Sequence, residues 1–154
     1  MAIWFEAITL ELLNKRGRKT LVDFLDIEFT AIGEDSLTAV MPVSERIQQP
    51  LGIVHGGANV VLAETIASTA ANAVVDQVKY YCVGLEINAN HIKQVRDGYI
   101  TGITHPIHIG RTTQIWQIEL YNAAGKLTCV SRMTACVIAK TTLIMAGEKL
   151  QAYE

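Results

Sequence analysis

Charge is scarce in this chain. Of its 154 residues only 18% are Asp, Glu, Lys or Arg, while 50% are apolar; soluble domains ordinarily carry about 25% charged residues. So sparse a charge is expected where other subunits cover part of the surface. The formal net charge of −2 gives no general attraction to nucleic acid or to an anionic membrane. Any phosphate contact must therefore come from local bases, of which Lys93, Arg96 and Arg111 are the candidates. Cysteine is scarce as well. Cys82, Cys129 and Cys136 form no CxxC pair, and one is left over from any pairing. Residues 1–6 lack the basic and long apolar stretches of a signal peptide, so a reduced, cytoplasmic setting is expected.

Other absences narrow the chemistry. There is no G-x-S-x-G elbow, no Walker loop and no G-x-G-x-x-G, which leaves serine hydrolase, nucleotidase and dinucleotide enzymes without support. The most apolar stretch is interrupted by Asn59, Glu64, Thr65, Ser68, Thr69 and Asn72, too often for a membrane span, and reads as a buried core helix. His105-Pro106-Ile107-His108 has no Cys or acidic residue at ligand spacing. On a regular strand its two imidazoles would point to opposite faces, so no metal is expected.

What is present predicts an α+β domain. Thr9, the run 10–16 and Gly17 predict a capped short helix, and residues 20–25 a further helical turn. Runs 27–32 and 37–43, joined by Gly33-Glu34-Asp35-Ser36, predict a hairpin. From Gly57 to about Val75 the chain is apolar nearly all round, as in a helix covered on most sides. Runs 79–92, 98–109, 112–122 and 127–139 are rich in Val, Ile, Thr and Tyr and predict a four-strand antiparallel meander. A sheet and a helix must each bury an apolar face, so the sheet is expected to curl around the helix. No repeat, low-complexity segment or linker divides the chain.

Glu64 is the only Asp, Glu, Lys or Arg between residues 55 and 75. A buried, unpaired carboxylate costs several kcal/mol or more, so this one either reaches water at the helix edge or is used. Gln49, the turn into His55-Gly56-Gly57, and Ser68 at i+4 bring an amide, an imidazole, free N–H groups and a hydroxyl to the same helix. A helix N-terminus supplies donors and a favourable dipole to a developing oxyanion. Each residue also has a plain structural reading. The glycines suit a tight turn, Gln49 a solvated loop, Ser68 a hydroxyl bonded to its i−4 carbonyl, and Asn88, Asn90 and His91 a strand end.

The stretch from Gln49 through His55-Gly56-Gly57-Ala58 to Leu62-Ala63-Glu64, with Gly84-Leu85-Glu86-Ile87-Asn88-Ala89-Asn90-His91, resembles the hotdog-fold acyl-CoA thioesterases. The likeness is to the branch holding the 1,4-dihydroxy-2-naphthoyl-CoA thioesterases of menaquinone synthesis, the enterobactin proofreading thioesterases and one class of 4-hydroxybenzoyl-CoA thioesterases. It covers residues 3–140 of a single domain spanning 1–154 and leaves an extension at 141–154.

The resemblance implies a hotdog fold, an antiparallel sheet wrapped around one long central helix. It also implies hydrolysis of an acyl-CoA thioester, with Glu64 as nucleophile or general base. It gives the Gly56 N–H to the thioester oxygen, Gln49 to the carbonyl or water, His55 to an orienting role and Ser68 to the nucleophile or water. Asn90 and His91 would line the acyl pocket; apart from the resemblance, Lys93, Arg96 and Arg111 are the candidates for charge-assisted contacts to the CoA phosphates, with plain solvation as their alternative. Coenzyme A would be part of the substrate, with no cofactor. The assembly would be a homotetramer, a dimer of dimers, with each site shared between subunits. Two rivals remain on the sequence: a hotdog dehydratase or hydratase, and a non-catalytic acyl-CoA-binding module.

Overall fold

The computed structural model describes residues 1–140, so the extension at 141–154 lies outside the described residues. Helix α1 (Leu10–Arg16) starts where the Thr9 hydroxyl accepts the Leu12 N–H and stops at Gly17. Helix α2 (Leu21–Phe24) is capped in the same way by Thr20. The Thr9 cap and the Gly17 stop stand where the sequence places them. Asn14 ties α1 to the sheet: its Nδ2 donates to the Phe29 carbonyl at 3.0 Å, and its Oδ1 accepts the Phe29 N–H at 2.8 Å.

Six strands form one antiparallel sheet: β1 (Glu28–Ile32), β2 (Leu37–Pro42), β5 (Tyr80–His91), β6 (Tyr99–Ile109), β7 (Thr113–Asn122) and β8 (Leu127–Ala139). Their spatial order is β1-β2-β6-β7-β8-β5. A small hairpin of β3 (Gln48–Gln49) and β4 (Ile53–Val54) stands apart. The expected four-strand meander is therefore corrected. Strands β6, β7 and β8 follow one another, whereas β5 pairs with β8 at the far edge. The link between β5 and β6 is engaged elsewhere and cannot make a tight turn. Val95 is buried there and its carbonyl accepts the Val54 N–H. Arg96 donates to the Leu51 and Gly52 carbonyls, so the link crosses beside the small hairpin.

The expectation for His105 and His108 is also corrected. Pro106 brings no N–H to the ladder, and a bulge falls between Pro106 and His108. His105 is then opposite Gln117 and His108 opposite Ile115, which places both rings on the outer face. His105 Nδ1 stands 3.5 Å from Asp35 Oδ1. No group of three or more His, Cys, Asp or Glu able to hold a metal occurs among the described residues.

Helix α3 (Gly56–Ala73) lies against β2, β5, β6, β7 and β8, so the sheet curls around it. Asn59, Leu62, Ala63, Ile66, Ala67, Ala70 and Ala71 form its buried stripe at helical spacing. The alanines let the backbone approach closely, and full burial of Leu62 or Ile66 contributes about 1.5–3 kcal/mol each. Gly102 of β6 completes the fit, because a Cβ there would come within 2.4 Å of Ile66 Cδ1. The helix is covered on most of its sides but not on all. Val61, Glu64, Thr65, Ser68 and Thr69 make a half-exposed stripe. At its C-terminal end each open carbonyl is met: Ala70 by the Val74 N–H, Ala71 by Gln114 Nε2 and Cys82 Sγ, Asn72 by Gln77 Nε2, and Ala73 by the Phe5 N–H. No described helix is long and apolar enough to cross a membrane.

Candidate active site

The N-terminal end of α3 is finished differently. Gly52, at φ +68, turns the small hairpin toward His55, whose N–H donates to the Ile47 carbonyl at 2.7 Å. His55 is the N-cap, with Nδ1 accepting the Gly57 N–H at 2.9 Å. An accepting Nδ1 leaves the ring proton on Nε2. The His55 carbonyl takes the Ala58 N–H and, at 3.4 Å, that of Asn59. The Gly56 N–H alone in this first turn has no partner among the described residues. It is therefore a donor at the positive end of an 18-residue helix.

That donor opens on a cavity of about 370 Å³ lined by Gln49, Ile53, Gly56, Asn59, His91 and Lys93, among others. Gln49 Oε1 accepts the Leu51 N–H at 3.0 Å, and its Nε2 has no partner among the described residues. Glycine at 56 permits a close approach, since a Cβ there would lie 2.8 Å from His91 Nε2 and the ring would have to move.

Glu64 lies elsewhere. It is more than two turns into α3, which begins at Gly56. Eight residues of helix separate the two by about 12 Å along the axis. Its Oε1 rests over Gly84, where a Cβ would come within 2.6 Å. Gly84 begins the bulge of edge strand β5. On the open side, Glu64 shares a cavity of about 400 Å³ with Leu21, Val22, Val61, Thr65 and Ser68. It is half-buried rather than sunk among Ala and Val. The Ser68 hydroxyl, which the resemblance gives to the nucleophile or water, does not reach it. Ser68 Oγ turns to Met133 Sδ at 3.6 Å, which is neither the carboxylate nor the i−4 carbonyl. No protein group among the described residues hydrogen-bonds the Glu64 carboxylate, which faces open space.

The remaining candidates divide by position. His91, on the helix-facing side of β5, joins the Gly56 cavity with Lys93. Asn90, one residue earlier, is exposed on the opposite face and does not line that cavity. Arg111 is not brought to Lys93 within this chain. It lines a cavity with Val74 and Val75, at the other end of α3. Arg96 is occupied by loop carbonyls. Asn59 was not singled out from sequence, although a polar residue in phase with Leu62, Ile66 and Ala70 is a detectable signal.

An antiparallel sheet curled around one long helix is the hotdog arrangement. The Thioesterase superfamily pattern matches residues 51–129, and the chain belongs to that family. It is 48% identical to the 1,4-dihydroxy-2-naphthoyl-CoA hydrolase of Escherichia coli, over 88% of this chain and 99% of the relative. It is 42% identical to the proofreading thioesterase EntH of Cronobacter turicensis, over 88% and 98%. The crystal structure of a mutant thioesterase from Pseudomonas aeruginosa superposes with a TM-score of 0.89 at 45% identity, covering 90% of this chain and all of that one. A thioesterase from Haemophilus influenzae gives 0.88 at 43% identity, covering 93% and 99%. The protein is thus an enzyme of the thioesterase class with the hotdog fold.

Proposed function

We propose that this thioesterase hydrolyses an aromatic acyl-CoA, of the 1,4-dihydroxy-2-naphthoyl or hydroxybenzoyl kind, in the cytoplasm and without a cofactor. The aromatic class is supported by the naphthoyl-CoA hydrolase among its relatives, whose product class would place this chain in menaquinone synthesis. The Gly56 N–H and Gln49 Nε2 polarise the thioester oxygen, raising the charge that the carbonyl carbon can accept. Glu64 then either attacks that carbon, forming a mixed anhydride that water opens, or takes a proton from the attacking water. In both routes the C–S bond breaks, the thiolate of coenzyme A leaves and is protonated, and the acid is released. Lys93 lies at the mouth of the Gly56 cavity for a CoA phosphate.

The observation that carries this reading is the separation of the two halves. A reacting carbon must sit about 3 Å from both nucleophile and oxyanion donors, yet along one helix they are about 12 Å apart. A two-fold axis would set Glu64 of one copy against Gly56 and Gln49 of a second, and the free edge of β5, with Leu85 64% exposed, suits such a pairing. Pairing of dimers would give a homotetramer of four 16.9 kDa chains.

The test is complementation. Glu64→Gln is expected to lower thiol release from aryl-CoA by on the order of 10²–10⁴. Mixing Glu64→Ala with Gln49→Ala under subunit exchange should restore about a quarter of parental activity, since half of randomly paired dimers carry one intact site of two. Parental rates in Glu64→Gln would overturn the catalytic assignment. Proven exchange without recovery would overturn the shared site.

A further inference from the structure

Asn59 is 6% exposed and its Oδ1 is the one buried side-chain N or O without a hydrogen-bond partner among the described residues. A residue serving packing alone would not carry that defect, because buried polar atoms are almost always paired. Its Nδ2 lies 3.3 Å from His91 Nδ1, on the wall of the same cavity that holds the Gly56 N–H. The amide is thus held with its nitrogen toward the imidazole at the expense of its oxygen. The reverse orientation would leave an unpaired NH₂ at the positive end of α3, where an unpaired carbonyl oxygen is better tolerated.

We propose that Asn59 is a positioning residue that fixes His91 as its Nε2–H tautomer, so that His91 adds a further donor for the thioester oxygen to the Gly56 N–H and Gln49 Nε2. The proposal rests on the placement of the thioester carbonyl given above. With Nδ1 accepting from Asn59, a neutral imidazole carries its proton on Nε2. That nitrogen is packed over Gly56, within 2.8 Å of where a Cβ would stand, on the residue that carries the free N–H. When the carbonyl carbon is attacked, the oxygen gains charge and receives these hydrogen bonds. No proton moves to it, and the charge returns when the C–S bond breaks. Glycine at 56 therefore has two uses: its N–H is one donor, and its missing Cβ lets the imidazole come close.

The experiment combines a spectroscopic and a kinetic readout on the full-length protein. Nitrogen-15 NMR of the imidazoles should show His91 protonated at Nε2 and bare at Nδ1; a ring protonated at Nδ1 would overturn the proposal without any variant being made. Asn59→Asp presents only acceptors and should turn the ring to Nδ1–H. It is expected to lower kcat on aryl-CoA by on the order of 10², the scale of a lost oxyanion donor, with KM changed less than about threefold. His91→Gln keeps an amide N–H donor with no tautomer to fix, so in that background Asn59→Asp should have little further effect. Unchanged kcat in Asn59→Asp, or equal losses in both backgrounds, would show that Asn59 acts through structure alone. If Glu64→Gln stayed fully active while His91 showed the Nε2–H form, the proposed chemistry would fail and the tautomer lock would stand.

Discussion

Gly84→Ala should separate catalysis from stability in this enzyme. The added Cβ would lie 2.6 Å from Glu64 Oε1, against an ordinary contact beginning at 3.4 Å, so the carboxylate must retreat by about 0.8 Å. It has room to do so, since it is the end of a flexible side chain beside an open cavity. The backbone tolerates alanine, because Gly84 is not among the glycines of positive φ. Displacing the side chain from its rotamer costs about 0.5–1.5 kcal/mol, and alanine returns about 0.4–1 kcal/mol by restricting the unfolded chain. The net change in stability is then within about 1 kcal/mol, or about 2–4 °C in Tm for a chain of this size. Catalysis is far less forgiving, since a misplacement of about 1 Å can lower a rate 10²-fold. We expect kcat on aryl-CoA, followed by thiol release, to fall by about 10- to 100-fold while Tm stays nearly fixed. In a Glu64→Gln background the same alanine should have no further effect. A parental kcat would refute the role given to the Glu64 position; a large loss of Tm would show that Gly84 serves the strand instead.

Aryl-CoA thioesters should show higher kcat/KM than acetyl-CoA, because a ring buries apolar area that a methyl cannot; equal turnover across a thiol-release panel would refute the aromatic assignment. Gln114→Leu should destabilise by about 1–3 kcal/mol in urea titrations, since it strips Trp116 Nε1 of its 2.9 Å acceptor and Ala71 of a donor deep in the core. Burial, with a smaller contribution from Cys136, pushes the Cys82 thiol up to about 11. The native state therefore keeps a proton that the unfolded chain gives up near the ordinary thiol value. This contribution is whole below that value and is lost as pH rises toward about 11, so the urea midpoint should fall across that window, and less steeply in Cys82→Ala.

The capped helices, the first hairpin and the strand spans were legible because each depends on neighbours in sequence: Thr9, Gly17, and the turn at residues 33–36. The position of β5 was not. Alternation reports which face of a strand is buried and is silent about which strand lies beside it, and the crossing of residues 92–98 depends on Val95 and Arg96 finding the β3–β4 hairpin. The bulge at Pro106 escaped for a related reason, since its effect on His108 depends on register with β7. For the site, the His55-Gly56-Gly57 turn was readable as a helix start with donors. The half-exposure of Glu64 was one of two readings left open, because composition treats all sides of α3 alike and does not say which of them the sheet covers. Asn59 was seen only as an interruption of an apolar run; its meaning depends on His91, thirty-two positions away in the chain.

The contrast between the two ends of α3 bears on how the molecule tolerates trimming and tagging. One end keeps an open donor, while the other is sealed by residues from four separate parts of the chain, among them Phe5. The first residues act as a stopper: the Ile3 N–H binds the Glu34 carbonyl, Trp4 Nε1 binds that of Gly33, and the Phe5 N–H closes Ala73. Cutting the chain back past Phe5 would uncork the carbonyl end, fray its last turn and loosen the seat of the helix that carries Glu64. Damage to activity from such a cut would arise at the end of α3 opposite the Gly56 donor.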